Sequence, residues 1–252
     1  MIEREVHGDI AVLRLAHGKA SALDLEFLGA LESAFRAEAS SSERALVLTG
    51  SAAIFCAGVD LKRIVAGKRE YIEAFLPALE RAFAELFFLE KPVVAALNGH
   101  AIAGGAVLAL ASDRRILARG KALVGTPELK VGVSFPFLAL EIVRAALGPM
   151  LANEIALEGR TYNGEECLAR GLIHELVGPE ALLPRALESA TNLAAAPAES
   201  FALTKRWLRR PSRLAWEHER APTAHLVLEN WCSPKTLLAI ESFVAKTLPG
   251  AR

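Results

Sequence analysis

Residues 98–113 read NGHAIAGGAVLALASD, and from Gly104-Gly105 to Asp113 they carry no charge. A helix formed by AVLALA has no polar face to turn toward water, so other elements must enclose it on every side. That requirement demands a sizeable scaffold. With 252 residues, 52% of them hydrophobic, the chain can supply one as a single large domain or as a domain with an appendage.

The flanking segments alternate strands and helices. Residues 2–6 and 10–16 predict two strands joined at His7-Gly8-Asp9, the second rich in branched side chains. Asp24 is a fitting N-cap for a helix that sets Leu25, Leu28, Leu31 and Phe35 at helical spacing. RALVLTG (44–50) and VVAALN (93–98) predict buried strands, and RRILAR (114–119) another. Between the first two runs an amphipathic helix over 69–89, marked by Phe75, Leu79, Phe83 and Leu86. A further unit starts at 122–128, passes through helices near 136–147 and 149–158, and reaches the strand-like LIHELV at 172–177. Strand, turn and helix recur without a fixed repeat length, which indicates an α/β chain and excludes an all-β fold or a regular solenoid. From about residue 179 the chain is largely helical. There Lys205, Arg206, Arg209, Arg210 and Arg213 read as a solvated helix face.

The formal net charge is zero, which gives no electrostatic reason to expect nucleic acid or an anionic membrane as partner. Cys56, Cys167 and Cys232 are odd in number and widely spaced, so they suggest neither a disulfide framework nor a zinc cluster. His17, His218 and His225 have no partners at metal-ligand spacing, and no metal is expected. The opening MIEREVHGDIAVLRLAHG lacks the pattern of a leader, and a cytoplasmic setting is the expectation.

Two glycine-containing turns follow buried strands: FCAGVDL (55–61) and NGHAIAGGAVL (98–108). A helix starting at such a turn presents unpaired N–H groups and a partial positive field, a combination able to hold an oxyanion. One such turn alone is also what an ordinary tight reversal looks like. Neither matches a Walker loop or the glycine spacing of a dinucleotide fingerprint.

Together the segments resemble the crotonase superfamily, the enoyl-CoA hydratase and isomerase family, over nearly the whole chain. KASALD (19–24) is similar to its N-terminal element, FCAGVDLK and NGHAIAGGAVLALASDRRI to its two oxyanion segments, and TPELKVGV (126–133) to the segment carrying a catalytic glutamate. GRTYNGEECLARGLIHELV (159–177) and ESFVAK (241–246) resemble the later family blocks. The resemblance implies an α/β spiral of ββα units over residues 1–190, binding an acyl-CoA and performing catalysis. It implies a C-terminal helical region over 191–252 for trimerisation and pocket closure. The partner implied is an acyl-CoA small molecule, with the chain a homotrimer or dimer of trimers. Coenzyme A enters only as part of the thioester substrate, with no permanently bound cofactor.

In the family two backbone N–H groups hold the thioester oxygen, and these map onto Val59 and Gly104. Hydratases add two glutamates; here the first position is Val107 and the second Glu128. A valine cannot orient water, so the active-site pattern is closest to the Δ3,Δ2-enoyl-CoA isomerases, which retain only the second glutamate. Enoyl-CoA hydration and a non-catalytic acyl-CoA binder are the alternatives. Without the resemblance, Glu128 reads as a surface glutamate after a turn proline. Ser134, Phe135, Pro136, Phe137 and Leu138 either narrow the acyl pocket or simply start a helix. Coenzyme contacts map onto Ala57, Val59 and Lys62, with Lys19, Phe243 and Lys246 as further candidates. Glu141 and His100 stand near these segments, the histidine reading as packing or a backbone hydrogen bond.

Overall fold

The computed structural model describes residues 1–247. In chain order the elements are β1 (Ile2–His7), β2 (Ile10–Leu15), α1 (Leu25–Ser40), β3 (Ala45–Thr49), β4 (Ile54–Cys56), α2 (Leu61–Phe87), β5 (Val93–Leu97), β6 (His100–Ile102) and α3 (Gly104–Ala111). There follow β7 (Arg114–Ala118), β8 (Val124–Gly125), α4 (Phe137–Glu158), β9 (Thr161–Tyr162), α5 (Gly164–Arg170), β10 (Glu175–Val177), α6 (Leu182–Ala194), α7 (Ala198–Trp231) and α8 (Pro234–Thr247).

The strands divide between two sheets, ordered β1-β2-β3-β5-β7-β10 and β4-β6-β8-β9. In the middle of the chain each turn of the spiral gives its first strand to the large sheet and its second to the small one. β3, β5 and β7 are therefore parallel neighbours, as are β4, β6 and β8. This is the spiral of ββα units that the sequence implies. β3 and β5 are buried along their whole length, as strands of a parallel sheet covered on both faces must be. Leu46, Leu48, Val93 and Ala95 face the main core, while Val47 and Val94 meet Leu182, Ala186, Ala190 and Ala194 of α6 on the other side.

All eight residues of α3 are buried, as its lack of charge requires. Asp24 caps α1 by accepting the Phe27 N–H at 2.8 Å. α2 starts earlier than its hydrophobic period predicts and is interrupted at Lys68, whose φ is +47°. Gly148-Pro149 breaks α4 between its two expected halves. LIHELV contributes only Glu175–Val177 to a strand; Leu172 and Ile173 are buried ahead of it, and His174 Nδ1 accepts the Arg115 N–H. α7 runs unbroken through Pro211 and Pro222.

The basic cluster on α7 differs from expectation. Lys205 is buried, and its ammonium donates to Asp113 at 2.6 Å and to the Lys91 carbonyl at 2.6 Å. Arg209 donates to the other Asp113 oxygen at 2.6 Å, donates to the Phe87 carbonyl, and lies over the Phe87 ring. These two cations fasten α7 to the core, while Arg206, paired with Glu90, remains on the exposed side. Among the described residues no helix is long and apolar enough to cross a membrane.

Candidate active site

The small sheet sets the site. β4, β6 and β8 are parallel, so their C-terminal ends share one edge, where the next residues leave the sheet. The segment after β4 brings Val59, the one after β6 brings Gly104, and the one after β8 brings Glu128. All three line a single cleft of about 570 Å3.

The N-terminal KASALD segment fixes the first of these loops. Ala57 N–H donates to Ala20 at 3.0 Å, Leu23 N–H to Gly58 at 2.8 Å, and Asp60 N–H to Leu23 at 2.9 Å. Gly58 has φ +82°, and a β-carbon there would stand 2.6 Å from the Ile102 carbonyl oxygen and 3.3 Å from the Gly104 nitrogen. Only glycine allows both the conformation and the contact between the two loops. The glycine pair is explained in the same way: a β-carbon on Gly105 would lie 2.8 Å from the Cys56 carbonyl carbon, so α3 could not pack against β4.

Among the described residues neither the Val59 N–H nor the Gly104 N–H has a hydrogen-bond partner within the chain. Gly104 is the first residue of α3, where the helix leaves its amides unpaired. The residue before it, Ala103, has φ 52° and ψ −124°, a conformation that costs an alanine on the order of 1–3 kcal/mol. Its own N–H donates to the Gly125 carbonyl at 2.8 Å, and this bond holds the strained junction against β8.

Glu128 opens a 3₁₀ turn after Pro127 and is only 8% exposed, which overturns the surface reading of that residue. Its Oε2 is buried with no hydrogen-bond partner among the described residues. Burial pushes the carboxyl up to about 8, although a backbone N–H acts in the opposite direction. Val107, one helical turn beyond Gly104, lines the same cleft and is 1% exposed. The chemistry this permits is specific. A carboxyl near neutrality stands in a largely apolar cleft with two free amides, a base brought together with hydrogen-bond donors for an oxyanion, while the other carboxylate lining the cleft, Asp60, caps α2 by accepting the Lys62 and Arg63 N–H groups.

Lys19, Ala57, Lys62 and Phe243 also line the cleft, and the two lysines are exposed. Lys246 is exposed on α8 and does not line it. Glu141 does not line it either, being paired with Arg144 at 2.7 Å, and His100 Nδ1 accepts the Leu123 N–H at 3.1 Å. His17, which shows no acidic partner by spacing, lies 2.7 Å from Asp24. Among the described residues no group of His, Cys, Asp or Glu is placed to hold a metal. Cys56 is buried, and burial pushes its thiol up to about 12, so it is no nucleophile at neutral pH.

Part of the apolar wall is not legible as such in the sequence. Leu79 and Phe83 of α2 belong to it, and so does Trp231 at the end of α7. Trp231 Nε1 donates to the Ser134 carbonyl at 2.9 Å, and Asn230 Oδ1 accepts the Ser134 N–H at 2.9 Å. Phe135 and Pro136 do line the cleft, whereas Leu138 is in the core.

The fold and this edge of the small sheet define a class of protein. Residues 5–246 match the family model described as enoyl-CoA hydratase/isomerase, and the chain belongs to that family. The carnitinyl-CoA dehydratase of Citrobacter koseri is 32% identical over 213 residues, 84% of this chain and 81% of the relative. The structure of human mitochondrial delta3-delta2-enoyl-CoA isomerase superposes with a TM-score of 0.93 at 23% identity, covering 97% of each chain, a likeness of fold. An enoyl-CoA hydratase from Mycobacterium marinum superposes with a TM-score of 0.75 at 29% identity, over 96% of this chain and 98% of that one.

Proposed function

We propose that the protein moves a carbon–carbon double bond in an enoyl-CoA thioester, with Glu128 as the only acid–base group. The observation that carries this reading is the pairing of a buried Glu128 carboxyl, its Oε2 without a partner among the described residues, with Val107 at the position where a second carboxylate would be needed to activate water. In the proposed reaction the Glu128 carboxylate takes a proton from C2 of a 3-enoyl thioester. The electron pair of that C–H bond moves into the carbonyl, and the resulting dienolate oxygen accepts hydrogen bonds from Val59 and Gly104. Glu128 then returns the proton to C4, leaving the double bond between C2 and C3. Losing one donor of such an oxyanion site costs about 3–4 kcal/mol in other enzymes, enough to make the pair a major part of catalysis.

Lys19 and Lys62 are placed to meet the coenzyme phosphates at the exposed side of the cleft, with Ala57 and Val59 beside them and Phe243 covering from α8. Lys246 serves this chain's cleft in no direct way and would act from the outer surface or toward a neighbouring subunit. A homotrimer or dimer of trimers in the cytoplasm belongs to the same proposal, with residues 191–252 as the assembling and pocket-closing region beside the 1–190 core.

Addition or removal of water is the second reading, favoured by the name of the relatives that are 32% identical. The two separate when a 3-enoyl-CoA and a 2-enoyl-CoA are offered individually in heavy water. Isomerisation predicts deuterium exchange at C2 and migration of the double bond in the first. Efficient water addition to the second, with no migration in the first, would reject the isomerase reading. Tight binding of CoA esters with neither exchange nor turnover would favour a non-catalytic binder.

A further inference from the structure

A second cleft, of about 720 Å3, opens between α2 and α7 beside the first. Three separate walls run from one cleft into the other. On α2, Ile72 and Leu76 line the second cleft and Leu79 and Phe83 the first, and the spacings of four, three and four residues put all of them on one helix face. On α7, Val227 and Leu228 line the second and Trp231 the first. In the segment leading into α4, Phe137 lines the second, Phe135 the first, and Pro136 both. The clefts are thus two parts of one groove, divided where Pro136 and Trp231 stand.

Trp231 is fixed in that position. It is 2% exposed, its ring lies 6.2 Å from that of Phe75, and its Nε1–H is committed to the Ser134 carbonyl. We infer that Trp231, with Pro136, is a partition that sets acyl chain length, and that the second cleft is an annex for the distal hydrocarbon of a longer acyl thioester. The occupant follows from continuity: the residues named on these three walls, where the second cleft meets the first, are all apolar and suit an alkyl tail, while Glu80 and the exposed Glu73, Arg81 and Arg220 line the rest of the second cleft. In the wild-type protein the partition is closed, and short tails are preferred. The inference rests on the proposed acyl-thioester substrate but not on which reaction follows.

The test uses hexanoyl-CoA and dodecanoyl-CoA, saturated so that neither has a double bond to move, with binding measured by calorimetry on the full-length protein. The wild type should bind the dodecanoyl ester no better than the hexanoyl ester. Trp231→Ala should shift the affinity ratio toward dodecanoyl by about tenfold or more, because methylenes leave water for the annex. Adding Ala224→Phe, which places a ring in the second cleft, should return the ratio to its wild-type value. Trp231→Leu keeps the test open if the alanine variant does not fold. An unchanged ratio in a folded Trp231 variant would overturn the inference, as would a gain that survives Ala224→Phe or a wild type that already prefers dodecanoyl. Binding of both esters without isomerisation of a 3-enoyl-CoA would sink the proposed reaction and leave the partition standing. Absence of all binding would sink both.

Discussion

The Ala103 N–H donates to the Gly125 carbonyl at 2.8 Å, tying the residue that precedes one free amide to the residue three before the carboxyl. Neither partner touches a reacting atom in the proposed mechanism. Their bond nevertheless ties the segment carrying the Gly104 amide to the one carrying Glu128, the proposed oxyanion donor and base, because both lie at the ends of adjacent parallel strands.

The buried Glu128 predicts a distinctive pH dependence. Only the carboxylate can take a proton, and burial raises the carboxyl to about 8 in the free protein. Values of kcat/KM for a 3-enoyl-CoA should therefore rise with pH and level off above an apparent pKa near that value. Glu128→Gln should abolish the rise together with the activity. A flat profile from pH 6 to 9 in the wild type would contradict the assignment.

The same residue should cost stability. A carboxyl whose folded pKa lies above the ordinary 4.5 favours the folded state when protonated, so its contribution is fully present below pH 4.5 and is lost as pH rises through about 8. The full shift corresponds to at most roughly 5 kcal/mol. Glu128→Gln should accordingly unfold at a higher temperature than the wild type at pH 9 and at a similar temperature at pH 4. Thermal melts at the two pH values decide it.

Gly58→Ala joins a disfavoured φ to a contact with the Ile102 carbonyl oxygen at 2.6 Å. The relief available is to move the 57–60 segment away from α3, which separates the Val59 and Gly104 amides. Turnover should fall on the order of a hundredfold, as it does when one oxyanion donor is lost. Circular dichroism should show the helices retained, and a variant of unchanged rate would argue against the oxyanion role of this loop.

Asp113→Ala should be among the more damaging changes remote from the cleft. It leaves Lys205 and Arg209 without their shared counter-charge, and removing one partner of a buried ionic group costs about 3–5 kcal/mol. Chemical denaturation should show that loss. If α7 detaches first, Trp231 should become exposed before the global transition, which its fluorescence would report.

Local patterns made much of this fold legible. The spacing of Leu28, Leu31 and Phe35, the cap at Asp24, and the uninterrupted apolar runs of β3 and β5 each depend on neighbours within a few residues. The uncharged stretch after Gly104-Gly105 required burial whatever surrounded it. The turns bearing Val59 and Gly104 and the Pro127-Glu128 step were visible because turn chemistry is local and because the family pattern recurs in order along the chain.

Tertiary structure decided the rest, for a common reason: the partners are distant in sequence. The three-residue strands β4 and β6 and the two-residue β8 are too short for a period and exist only because each pairs with the next turn of the spiral. Lys205 looked solvated until Asp113, 92 residues away, was brought against it. Trp231 reaches the cleft through a bond to Ser134, 97 residues back. Glu128 is a glutamate in any sequence; a carboxyl titrating near 8 arises only when the folded chain strips it of water.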